Sequence, residues 1–162
     1  MKKTFKNFCN KNAPLLLLLS SLAANAAQAP AILTVTPPER ATVKRGSAVT
    51  AKLGLKVAPG FHVNSNAPLD EYLIPLRLTW QAAPFEVKSI DFPAAKQEKS
   101  EFSPKPIAVF DGAFEISSKF AIPATAPVGA GFITGKLRYQ GCNATTCYPP
   151  KTIDVKFSYD LQ

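Results

Sequence analysis

Val49-Thr50-Ala51-Lys52-Leu53-Gly54-Leu55-Lys56-Val57 alternates at every step. A period of two places Val49, Ala51, Leu53, Leu55 and Val57 on one face of an extended chain. Thr50, Lys52, Gly54 and Lys56 fall on the other, which predicts a strand with one buried face. The pattern recurs along the chain. Ile74, Leu76, Leu78 and Trp80 share a face against Arg77 and Thr79, and Trp80, ending that face, reads as core. Phe114, Ile116, Phe120 and Ile122 stand against Glu115, Ser117 and Lys119. Ile133, Leu137 and Tyr139 form a fourth face. Ile153, Val155, Phe157 and Tyr159 form a fifth, against Asp154, Lys156 and Ser158. Ile32 to Thr36 and Phe85 to Phe92 are shorter candidates. Pro37-Pro38, Pro59-Gly60, Pro93, Pro123, Pro127-Val128-Gly129 and Pro149-Pro150 punctuate the runs. No segment after the N-terminal stretch carries a long 3.6-residue period. Short strands separated by turn signals predict an all-β fold, an immunoglobulin-like β-sandwich, with a small barrel as the alternative. Lys96 to Ile107 breaks the alternation with charge and proline, and is expected to be a long surface loop.

The N-terminus reads differently. Lys2, Lys3, Lys6 and Lys11 precede an apolar run, Pro14 to Ala24, with five consecutive leucines, and Ala24-Asn25-Ala26 suits a signal peptidase. Residues 1–26 are therefore expected to be a cleaved signal peptide that takes Cys9 with it, and residues 27–162 a single domain. The expected location is the periplasm. Removing the signal lowers the formal charge from +8 to +4. The remaining basic residues are scattered, so nucleic acid is not an expected partner. No later stretch is apolar for the ~20 residues that a membrane-spanning helix needs.

The chemistry gathers at Tyr139-Gln140-Gly141-Cys142-Asn143-Ala144-Thr145-Thr146-Cys147-Tyr148-Pro149-Pro150, which holds both cysteines of the exported chain. In an oxidising compartment two cysteines pair unless something keeps them reduced. If the flanking strands form a hairpin, the thiols face each other at a Cα separation of roughly 5.5 Å, which suits a disulfide. Two readings stand side by side. One is a staple, which by chain entropy contributes only ~2 kcal/mol for a loop of about six residues. The other is a redox site. Tyr139 and Tyr148 could shield the sulfurs, and the small polar loop leaves room for a partner thiol. No Lys, Arg or His lies within the loop to activate a thiol. Zinc would need two further ligands, and His62 is the one histidine. His62 itself reads first as a turn residue, and Asp70-Glu71 as a solvated turn.

Three segments resemble the N-terminal domain of the thiol:disulfide interchange protein DsbD. They are the cysteine segment itself, Pro59-Gly60-Phe61-His62-Val63-Asn64-Ser65, and Val109-Phe110-Asp111-Gly112. The similarity runs from about Ile32 to Ser158. The resemblance implies an immunoglobulin-like sandwich and a protein-disulfide reductase type of exchange. Cys147 would form the mixed disulfide and Cys142 resolve it. Phe110 would be an aromatic cap on the disulfide, with Tyr139 and Tyr148 shielding and His62 and Asp111 in support. Asp111 stands where an aromatic is common. No metal or organic cofactor is implied, because the disulfide carries the chemistry. The implied partners are periplasmic thioredoxin-like or disulfide-isomerase proteins, with a link to cytochrome c biogenesis. Because the chain ends at Gln162, the electron donor is expected to be a separate membrane protein. The alternative is a non-catalytic binding or chaperone module with a structural disulfide.

Overall fold

The computed structural model describes residues 31–100 and 103–162. The expected signal peptide lies outside the described residues. The described residues form twelve strands in order: β1 (Leu33–Thr36), β2 (Ala41–Val43), β3 (Ala48–Val57), β4 (His62–Asn64), β5 (Arg77–Gln81), β6 (Glu86–Asp91), β7 (Lys96–Ser100), β8 (Ser103–Phe110), β9 (Ala113–Ala121), β10 (Gly129–Tyr139), β11 (Gly141–Cys142) and β12 (Lys151–Leu161). Among the described residues no helix is long and apolar enough to cross a membrane.

The strands make three four-stranded sheets, ordered β1-β3-β9-β6, β2-β12-β10-β5 and β11-β4-β8-β7. The first two form the immunoglobulin-like sandwich. Pro37-Pro38 lies between β1, which pairs antiparallel with β3, and β2, which pairs parallel with β12. The alternating runs supply the inner faces. Leu53, Ile116 and Phe120 from one sheet and Ile133, Leu137 and Phe157 from the other are all essentially buried. Phe120 stacks with Phe157 at 5.9 Å between ring centroids and meets Trp80 edge-on at 5.6 Å. The Trp80 indole donates to Ser118 Oγ at 2.9 Å, which satisfies the one polar side chain in the middle of that β9 face. Gly135 has a steric reason. A Cβ there would lie 2.6 Å from Trp80 Cε3 and 2.7 Å from the Thr79 carbonyl oxygen, so the glycine is the seat of the tryptophan.

Two expectations are corrected. Within the segment Lys96 to Ile107 the described residues are not loop but strand, with β7 antiparallel to β8 and a register shift between Glu98 and Ser100. Its charges are tolerable because β7 is an edge strand. Pro104 and Pro106 sit on the part of β8 that β4 does not reach, where a missing N–H costs little. The face carrying Ile74 and Leu76 also starts later than its alternation predicts, because β5 begins at Arg77. Before it, the Ile74 N–H donates to Gln140 Oε1 (3.2 Å) and the Leu76 N–H to the Ser65 carbonyl (3.1 Å). Those partners replace the ladder, and Pro75 between them has no N–H to give.

Candidate functional site

The third sheet sits where β10 runs out, and it holds both cysteines. β10 pairs with β12 as far as Tyr139↔Lys151. At Gln140 the chain leaves that ladder. Gly141 and Cys142 then pair with Val63 and His62 of β4. A Cβ on Gly141 would lie 2.7 Å from both Ile32 Cδ1 and Cγ2, so only glycine lets the strand pass over that side chain.

Gln140 fastens the crossing. Its Oε1 accepts from Asn64 Nδ2 (3.1 Å) and from the Ile74 N–H (3.2 Å), and its Nε2 donates to the Tyr148 carbonyl (3.2 Å). Asn64 is fully buried, and its Nδ2 also donates to the Ile74 carbonyl at 3.1 Å. One amide thus ties together β4, the approach to β5 and the return limb of the cysteine hairpin. Nothing in the local sequence marks Gln140 for this role, since its partners are distant in the chain.

Cys142 and Cys147 are disulfide-bonded. The Asn143 N–H donates to the Thr146 carbonyl and the Tyr148 N–H to the Gly141 carbonyl, both at 2.9 Å. The cysteines are therefore the non-hydrogen-bonded pair between two bonded ones, the closer type of antiparallel pair. Their Cα atoms are 4.0 Å apart, nearer than the expected separation, because they close a small hairpin of their own rather than facing across the β10–β12 ladder. Asn143 Oδ1 accepts from the N–H groups of Thr145 (3.0 Å) and Thr146 (2.7 Å), which shapes the tip as an Asx turn. The two sulfur residues differ in access: Cys142 is 0 % exposed, whereas Cys147 is half-buried.

Register separates the other candidates into two faces. Tyr148, Gly141, Val63 and Phe110 share one row across the sheet, while Cys147, Cys142 and His62 share the next. Consecutive rows present side chains to opposite faces. Phe110, the last residue of β8 rather than the tip of a long loop, is 3 % exposed and stacks on Phe114 at 4.8 Å. Tyr139 is buried in the same apolar cluster, and burial pushes its phenol pKa up. Tyr148 packs against that cluster, with Phe61 at 6.1 Å. All three expected shielding aromatics thus belong to the core face beneath the hairpin.

The opposite face carries polar groups. His62 is 8 % exposed, and its Nε2 is buried with no hydrogen-bond partner among the described residues. Burial lowers its pKa from the ordinary 6.5, opposed by the nearby negative charges of Glu98 and Asp111. Asp111 is ion-paired with Lys96. His62, Glu98, Lys99, Asp111 and Asn143 line a cleft of about 410 Å³ beside the hairpin. Glu98 was hidden from sequence reading by its place in a segment that looks like a loop. Asp70 is elsewhere, in a turn where its Oδ1 accepts from the Tyr72 N–H at 3.2 Å. Among the described residues no group of three or more His, Cys, Asp or Glu is placed to hold a metal ion.

Comparison with known proteins bears on the fold and the family. The N-terminal periplasmic domain of ScsB from Proteus mirabilis shares the fold, with a TM-score of 0.54 at 12% identity, over 77% of this chain and 44% of that one. The chain thus spans less than half of that structure. The ASH/PapD-like domain of human CEP192 (PapD-like domain 7) superposes with a TM-score of 0.45 at 16% identity, over 90% of this chain and 96% of that one. No match was found among curated proteins. The family model described as thiol:disulfide interchange protein DsbD, N-terminal, matches residues 31–158, and the chain belongs to that family.

Proposed function

We propose that this protein is a periplasmic thiol:disulfide interchange domain whose working group is the Cys142–Cys147 pair, acting without metal or organic cofactor. The observation that carries the reading is the asymmetry of the pair: a half-buried Cys147 beside a fully buried Cys142 in one hairpin. Exchange runs through thiolate attack on a disulfide sulfur, so the less buried cysteine meets the partner and the fully buried one waits.

In the reduced domain the Cys147 thiolate attacks one sulfur of a partner disulfide. A Cys147–partner bond forms, the partner's own S–S bond breaks, and its released sulfur takes up a proton. The Cys142 thiolate then attacks Cys147 Sγ. The intramolecular disulfide closes, and the second partner sulfur leaves and is protonated. Two electrons and two protons have passed to the partner. Run backwards, the same steps reduce the domain. The partners are thiol–disulfide redox proteins of the periplasm, thioredoxin-like or isomerase-like.

The test is covalent trapping. Cys142→Ser, reduced and mixed with periplasmic extract, is expected to accumulate reductant-sensitive adducts through Cys147. Cys147→Ser is expected to form none. Adducts on neither variant would sink the reading in favour of a binding module with a structural disulfide. Adducts on Cys147→Ser alone would reverse the two roles.

A further inference from the structure

Resting on the exchange reading above, the geometry points to His62 as the base that takes the proton from the buried Cys142 thiol when that sulfur closes back onto Cys147. Cys142 and His62 are directly opposed partners of β11 and β4. Such partners share a face, with Cβ atoms about 4.5–5.5 Å apart. Opening the S–S bond frees the Cys142 side chain to turn its thiol toward the imidazole.

Three observations converge on this role. First, Cys142 is 0 % exposed, so its thiol needs an internal acceptor. Only the thiolate attacks, and burial away from water favours the protonated thiol. The hairpin itself contains no basic side chain, since residues 143–146 are Asn, Ala, Thr and Thr. Second, His62 Nε2 is buried and unpartnered among the described residues. An orphaned buried polar atom costs free energy, so its persistence beside a redox pair asks for a function. In the tautomer protonated at Nδ1, that nitrogen is a free acceptor. Third, the surroundings can hold the charge that results. Glu98 of β7 and Asp111 after β8 both favour the imidazolium, while burial keeps the resting imidazole neutral and ready to accept. Lys99 in the cleft wall and Lys96, paired with Asp111, temper that field from the other side. The cleft gives the proton a route to solvent.

The step balances simply. Cys142 S–H loses its proton to His62 Nε2 and its sulfur lone pair forms the bond to Cys147 Sγ. The Cys147–partner bond breaks, and the partner leaves as a thiolate that the imidazolium or solvent can protonate.

An aromatic disulfide that releases coloured thionitrobenzoate separates this step from the first attack. The reduced wild-type protein is expected to release one equivalent as Cys147 attacks and a second as Cys142 resolves. The second phase should show a pH inflection set by the imidazole. In His62→Gln that second phase is expected to slow by roughly a hundredfold at neutral pH and to lose the inflection, with the first phase changed by less than about twofold. A second phase that stays within about threefold of wild type would overturn the assignment. If His62→Gln does not fold, Glu98→Gln decides, since it keeps the imidazole but removes one charge that supports the imidazolium. The inflection should then move to lower pH, and an unmoved inflection overturns the role of His62. Fewer than two equivalents from the wild type would instead refute the exchange reading itself, and the base assignment would fall with it.

Discussion

At the scale of the residue, His62 should leave a mark on stability as well as on chemistry. Burial lowers its pKa in the folded protein from the ordinary 6.5. The unfolded chain therefore begins to bind a proton at 6.5 as pH falls, while the folded chain does so only at a lower pH. Within that window the unfolded state holds more protons, so folding stability declines as pH drops from 6.5 through the folded value, and is fully present above 6.5. Urea midpoints measured across this range should show the decline in the wild type and a flatter profile in His62→Gln. An equally steep profile in the variant would assign the acid sensitivity to carboxylates instead. The same residue illustrates how little a side chain's neighbours show in sequence. A histidine after Pro59-Gly60-Phe61 reads as a turn residue, and only the pairing of β4 with β11 sets it opposite a cysteine.

At the scale of the element, the cysteine hairpin is held by what surrounds it more than by its own turn. β11 has two residues, and its ladder to β4 is equally short. Gln140 supplies the missing bonds, to Asn64, Ile74 and Tyr148. Gln140→Ala should cost about 1–3 kcal/mol, because it leaves polar groups of a buried network without partners. It should also speed amide exchange at Ile74 and Tyr148 relative to the sandwich strands. Unchanged protection at those two amides would mean that the hairpin is anchored elsewhere. The elements that this network joins are also the ones least legible beforehand. β3, β10 and β12 announce themselves by alternation because one face of each is solvated. β4 is buried at all three positions and β8 at its last four, so no period of two survives in them. Lysine, glutamate and proline further disguised the β7–β8 hairpin as a loop. The cysteine pair was visible from spacing alone. Gln140 and Glu98 were not, because they are neighbours of the site in space only.

At the scale of the whole molecule, an exchange domain must stay folded in both redox states, and the distribution of the core allows it. The apolar side chains lie in two clusters, one around Leu53, Ile116 and Leu137 and one around Phe120, Ile133 and Phe157. The disulfide lies at the edge of the sandwich, in a loop closed by a sequence separation of 5, and joins residues that the hairpin already places together. By chain entropy such a loop restricts the unfolded state by only ~2 kcal/mol, and less where local hydrogen bonds enforce the same proximity. Even at the low end of the roughly 5–15 kcal/mol typical of a folded domain, that leaves more than half of the stability in place. The reduced protein is therefore expected to unfold cooperatively in urea, with the same slope as the oxidised one and a midpoint lowered by at most the equivalent of ~2 kcal/mol. Loss of the cooperative transition on reduction would make the bond part of the framework, which no partner could open without unfolding the domain. A small shift means the bond can open and close against a rigid sandwich, so the energy of exchange goes into the sulfurs rather than into refolding.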